Sequence, residues 1–158
     1  MSLRRALRAG LIASLGAVAL VAAGCGGGNG DSKATEVNTT QVGQLGPVLT
    51  TSRGMVLYMF PPDAERHVTC VGSCAAVWPP LTAADRLPPR AGSGVQQSLL
   101  GTDPNPGGGP PVVTYDGWPL YTFVDDVKPK QASGQARDLN GGYWYVIAPS
   151  GQPITLGA

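Results

Sequence analysis

Histidine occurs once in this 158-residue chain, cysteine three times and phenylalanine twice, and only 13% of the residues carry charge. Each scarcity removes a class of function. A single histidine, with no Gly-x-Ser-x-Gly element and no His/Cys pair at a recognised spacing, assembles no set of base, nucleophile and oxyanion donors. No Cys-x-x-Cys-His stretch is present to attach haem. The uncharged apolar run from Ala9 to Gly24 is shorter than the roughly 20 residues a membrane-crossing helix needs. What is abundant is turn chemistry. Fifteen prolines and 23 glycines argue against long helices and for many short connections.

The chain opens with Arg4, Arg5 and Arg8 ahead of that apolar run, the pattern of a secretory signal segment. The run ends in Ala22-Ala23-Gly24-Cys25, and small residues directly before a cysteine resemble the lipobox of bacterial lipoproteins, in which the cysteine is lipidated and becomes the mature N-terminus. Residues 1–24 are therefore expected to be a lipoprotein signal peptide. Residues 25–36 follow as a flexible, Gly-rich tether reading GGGNGDSKATE after the cysteine. Residues 37–158 remain as one modest domain of about 120 residues. Without the leader, eight basic residues face ten acidic ones, so nucleic acid is not an expected partner.

Two stretches carry the same pattern. GMVLYMFPPD (Gly54–Asp63) and GWPLYTFVDD (Gly117–Asp126) both read Gly-x-x-Leu-Tyr-x-Phe-x-x-Asp, 63 residues apart. Carried leftward at the same offset, the match pairs Pro47 with Pro110, Leu49 with Val112, Thr51 with Thr114 and Arg53-Gly54 with Asp116-Gly117. The repeated object is thus a β-hairpin. Its second copy turns on Asp-Gly, a dipeptide suited to the positive φ values of a tight hairpin. Alternation along the second strand puts Tyr58 with Phe60, and Tyr121 with Phe123, on one face, leaving Leu57 and Leu120 on the other. The aromatic face is the expected core face. Asp63 and Asp126 fall just past the strand ends, where an aspartate caps a turn by accepting backbone N–H groups. The competing reading, acid–base or metal work at these carboxylates, is weakened because an active site needs different groups converging once, whereas a cap is needed in every copy.

Downstream the copies diverge, although each reaches a tryptophan, Trp78 and Trp144. The first carries CVGSCAAVWPPL, in which Ser73–Trp78 suits a short helix before Pro79-Pro80 stops it. The second carries GGYWYVIAPSGQPI, which reads as a closing hairpin. DPNPGGGPP, Asp103–Pro111, is an exposed loop between the copies. Cys70 and Cys74, the pair left once Cys25 is lipidated, are expected to form a disulfide in an exported domain. His67 precedes them in His-x-x-Cys-x-x-x-Cys, whose donors also suit copper or zinc, with Met55, Met59 or Asp63 as a further ligand.

The twofold Tyr-x-Phe-x-x-Asp, the Cys-x-x-x-Cys-Ala-x-x-Trp-Pro-Pro-Leu after the first copy and the Gly-x-Pro-Leu-Tyr opening the second together resemble the secreted-repeat lipoproteins of bacteria, whose motif is Tyr-x-(Phe/Trp/Tyr)-x-x-Asp. The resemblance spans Gly46 to Gly151 and departs in the inter-copy loop and in VKPKQASGQ after Asp126. It implies a class and an address outside the cytoplasm, and no catalytic residues.

The expectation is accordingly a mainly β fold: two hairpin-based repeats, about 46–80 and 110–151, packed as one small domain with a short helix near 73–78. Each copy is to cover the aromatic face of the other, since two strands alone are marginal in water. The expected function is a lipid-anchored, non-enzymatic envelope module without a cofactor, held to the membrane through Cys25 and binding a small ligand, a wall component or another protein. The alternatives are a redox or metal-handling module using His67, Cys70 and Cys74, and a hydrolase acting through the repeat aspartates.

Overall fold

The computed structural model describes residues 34–63 and 67–157. The leader, Cys25 and most of the tether lie outside the described residues. Strand β1 (Glu36–Val42) turns back through Gly43–Leu45 into β2 (Gly46–Thr51), and their antiparallel pairing places Val37 opposite Thr51 and Val42 opposite Gly46. After a turn, residues 56–59 run back along β2, with β3 assigned to Tyr58–Met59. The helix α1 (Ser73–Val77) falls where the sequence predicts it. A short strand β4 (Arg90–Ala91) adds to β1 in parallel.

The second copy repeats the plan. Strand β5 (Leu100–Asp103) pairs antiparallel with β6 (Val112–Tyr115), which turns at Asp116-Gly117 into β7 (Trp118–Pro119). Asp116 and Gly117 both take positive φ, 50° and 83°, the conformation a two-residue hairpin turn demands. Strand β8 (Arg137–Leu139) then turns into β9 (Gly142–Val146), and a closing hairpin brings Ile147 opposite Pro153, as the Pro-Ser-Gly signal predicts. Residues 104–111, beyond the end of β5, form the expected loop, while Asp103, expected to open it, is the last residue of the strand, opposite Val112.

One feature of the repeat differs from its reading in the sequence. Leu49 O accepts from Leu57 N at 2.9 Å, and the same bond in the second copy runs from Leu120 N to Val113 O at 2.9 Å. Leu49 is therefore the counterpart of Val113 rather than Val112, and Thr50, opposite Val56, matches Thr114, opposite Pro119. The first turn is one residue longer. Arg-Gly lacks the Asp-Gly geometry, and the chain instead closes a wider loop in which Thr51 N donates to Met55 O at 2.8 Å and Gly54 N to Thr51 O at 2.8 Å. An ungapped match cannot register an extra residue inside a turn, so everything N-terminal to the turn is displaced by one.

The copies are joined by exchanged strands. The segment after Trp78 crosses to the second copy, where Leu81 N donates to Leu120 O (2.8 Å) and Val113 N donates to Leu81 O (2.7 Å). The segment after Trp144 crosses to the first copy, where Val146 lies opposite Tyr58 and Leu49 N donates to Ile147 O (2.9 Å). At the centre, Tyr58 N donates to Tyr121 O and Tyr121 N to Tyr58 O, at 2.9 and 3.0 Å. This two-way pair is the local twofold axis of the domain. Each hairpin thus gains a strand from the other copy in addition to the one its own copy supplies, which ties the two units into one domain.

Alternation places Tyr58, Phe60, Tyr121 and Phe123 in one buried cluster with Trp78 and Trp144. Leu57 and Leu120, on the opposite face, are also fully buried, in a second cluster with Leu49, Val113 and Ile147. The aromatic face is a core face, as expected, and the leucine face is a second one. Among the described residues no helix is long and apolar enough to cross a membrane.

Candidate functional site

The strand that carries Tyr58 and Phe60 ends in a tight 3-10 turn, Pro61–Asp63, closed by a bond from Asp63 N to Phe60 O at 2.9 Å. The second copy makes the same closure from Asp126 N to Phe123 O at 3.1 Å. The three-residue step from Phe to Asp in the motif is the length of that turn, and it swings the carboxylate back under the strand. Asp63 is then fully buried and Asp126 is 4% exposed.

Both aspartates cap the loop that follows, as predicted. Asp63 Oδ1 accepts the Thr69 N–H (2.7 Å) and the Thr69 hydroxyl (2.5 Å), and Asp126 Oδ1 accepts the Ser133 N–H (2.8 Å). Their second oxygens do something the sequence pattern alone does not show. Tyr121 donates its phenol to Asp63 Oδ2 at 2.5 Å, and Tyr58 donates to Asp126 Oδ2 at 2.6 Å. The tyrosine of each motif is bound by the aspartate of the other. Two buried, charge-assisted hydrogen bonds, each between residues of different copies, therefore flank the exchanged strands.

Burial, followed by the bonded carboxylate, pushes both phenols far above their ordinary value near 10; for Tyr58 the partner is Asp126 and for Tyr121 it is Asp63. A folded-state pKa above the unfolded one means stability is fully present below the unfolded value and lost as pH rises past it. The expected outcome is a stability that is insensitive to these phenols up to about pH 9, then falls above about pH 10 by up to about 1.4 kcal/mol per pH unit for each of them. Urea titrations of the wild type and of Tyr58→Phe across that range check this. The variant should show the smaller alkaline loss, and equal slopes would refute the assignment.

A stack of four rings lies between the two pairs. Phe123 stacks on Trp78 (centroids 4.2 Å), Trp78 on Trp144 (4.0 Å, planes 3° apart) and Trp144 on Phe60 (4.2 Å). Tyr58 meets Trp78 edge-on at 5.3 Å and Tyr121 meets Trp144 edge-on at 5.1 Å. Each phenylalanine thus packs on the tryptophan of the other copy, while each tyrosine packs on its own.

The copies secure this core by different means. After its capping Thr69 the first places Cys70, buried and bridged to Cys74 with Cα atoms 5.2 Å apart, within the range a disulfide accepts. Trp78 N donates to Cys74 O at 2.8 Å, so the bridge pins the turn that carries the tryptophan. After its capping Ser133 the second copy places Gly134, whose N–H donates to the Tyr58 phenol oxygen at 3.2 Å. A Cβ there would lie 2.6 Å from the Trp78 ring, closer than any side chain tolerates. The VKPKQASGQ segment, which departs from the pattern of the first copy, therefore contains a residue the core requires.

The disulfide leaves neither sulfur as a thiolate for a metal, and His67 is exposed beside it. Met59, offered as a further ligand, is buried in the leucine cluster. Among the described residues, no group of three His, Cys, Asp or Glu side chains is arranged to hold a metal ion. An apolar-lined cleft of about 500 Å³ lies between the start of β1, the first hairpin turn and the crossing strand, with Thr35, Glu36, Arg53, Met55 and Thr122 among its walls.

A family described as a secreted repeat of unknown function matches the chain twice, over residues 39–82 and 105–148. The chain belongs to that family. The two matches fall on the two copies, each running through the hairpin and the aspartate turn to the exchanged strand; the first also takes in part of β1, while the second begins after β5. Neither a curated protein nor a solved structure matches the chain. The family is described as secreted, which agrees with a disulfide in the domain and with an address outside the cytoplasm.

Proposed function

We propose that this secreted-repeat protein is a lipoprotein of the cell envelope, anchored through Cys25, whose domain is a non-enzymatic binding or structural module for a small ligand, a wall component or another envelope protein. The observation that carries the second half is the use made of the motif. Every polar atom of the repeated Tyr and Asp side chains is engaged inside the domain: one oxygen of each aspartate accepts the tyrosine of the other copy and the other oxygen caps the loop of its own copy. A carboxylate so occupied is a structural tie rather than a free base. The first half is supported by the small residues before Cys25, by an apolar run too short to span, and by the secreted character of the family.

Detergent-phase partitioning with N-terminal mass analysis tests the anchor. Mature protein should partition with detergent and begin at an acylated Cys25, and Cys25→Ser should lose the acyl mass without altering the β-rich circular dichroism of the domain. An unmodified Cys25 in the mature chain would rule the anchor out.

A further inference from the structure

The twofold scaffold makes its own departures conspicuous. Where the first copy follows its phenylalanine with Pro61-Pro62, the second has Val124-Asp125 and then the loop Val127–Gln131. Val127 is 81% exposed, the most exposed large apolar side chain described, and Val124 is 47% exposed. The loop is held in this form: Gln131 accepts the Val127 N–H at 3.2 Å through its Oε1 and donates to Asp125 O at 3.0 Å through its Nε2. Lys128 and Lys130 follow the valine on either side of Pro129, and both are exposed. Lys130 takes a φ of 63°, and its N–H donates to Gly54 O at 3.1 Å. Pro129 packs on Gly54, where an added Cβ would meet it at 3.1 Å. The loop of the second copy is thereby fastened to the first hairpin turn, next to exposed Arg53.

Arg53 also lines the 500 Å³ cleft together with Ala34, the first described residue. The proposed acylated Cys25 is nine residues before Ala34. Nine residues span at most about 30 Å. A lipid on Cys25 would therefore keep Ala34, on the wall of the cleft that Arg53 also lines, within about 30 Å of the bilayer, close enough for this face to reach the headgroups. An exposed valine followed by two lysines, in a loop fastened beside Arg53, suits a surface of anionic headgroups. Asp125 in the loop and Glu36 on the cleft wall set two negative charges against the three positive ones of Arg53, Lys128 and Lys130.

We infer that the face formed by Arg53, Val124, Val127, Lys128 and Lys130 docks on the anionic surface of the membrane to which the protein is tethered. This fixes the orientation of the domain and leaves the opposite surface to face outward. The inference rests on the lipid-anchor reading.

The test reconstitutes mature lipoprotein into vesicles of phosphatidylcholine alone or mixed with phosphatidylglycerol and follows backbone hydrogen exchange over residues 124–131. Exchange there should be slowed about tenfold, corresponding to about 1.4 kcal/mol, on the anionic vesicles only. Lys128→Glu with Lys130→Glu should abolish the difference while leaving flotation with vesicles intact. Flotation with identical exchange on both vesicle types would overturn the docking and leave the anchor standing. Failure to float on either would overturn the anchor and the docking with it.

Discussion

Asp63→Ala should lower the unfolding free energy by about 3–5 kcal/mol, the scale for removing one partner from a buried charge-assisted network. The carboxylate receives three bonds, from the Thr69 N–H, the Thr69 hydroxyl and the Tyr121 phenol. Its loss leaves a buried phenol at the centre of the domain with no acceptor and frees the loop that leads to Cys70. Domains of this size have only about 5–15 kcal/mol in total, so the variant should be marginal and its disulfide should become accessible to mild reductants. Chemical denaturation together with the rate of thiol release measures both. A loss below 1 kcal/mol would mean that the aspartate is not the tie it is taken to be.

Trp78→Ala should be equally damaging, by about 3–5 kcal/mol, and for a different reason. Its indole N–H has no hydrogen-bond partner among the described residues, so the whole effect is packing. The ring is stacked between Phe123 and Trp144, meets Tyr58 edge-on and lies over Gly134. Removing it opens a cavity in the middle of the ring stack. Trp144, whose N–H donates to Leu139 O at 3.0 Å, should cost a similar amount plus that bond. Thermal melts compare the two. A large loss at one tryptophan and almost none at the other would contradict the twofold core.

Much of this organisation could be read from residue types and spacing. The Asp-Gly turn, the short helix before Pro79-Pro80 and the aromatic alternation around Tyr58 and Tyr121 are local features, decided by residues within a few positions of one another. The aspartate caps are local as well, reaching only to Thr69 and Ser133. What could not be read is the pairing across copies. Nothing in a one-dimensional repeat says whether Tyr58 bonds Asp63 or Asp126, because both aspartates stand at the same distance from their own tyrosines. The decision lies in the topology: the tight turn after each phenylalanine directs its carboxylate to the phenol of the other copy. The exchange of Pro80–Ala83 and Val146–Ile147 was hidden for the same reason, since these segments complete sheets built from residues far away in sequence. Gly134 was legible only as part of a polar loop. Its requirement comes from Trp78, which arrives from the first copy.

The central claim is that the repeated motif holds the two copies together by crossed pairs, and a double-mutant cycle in chemical denaturation tests it most directly. Tyr121→Phe and Asp63→Ala, made singly and together, should be strongly non-additive, with a coupling of about 1.5–3 kcal/mol. Tyr121→Phe with Asp126→Ala, the pairing within one copy, should add to within about 0.5 kcal/mol. Coupling within a copy and additivity between copies would contradict the account.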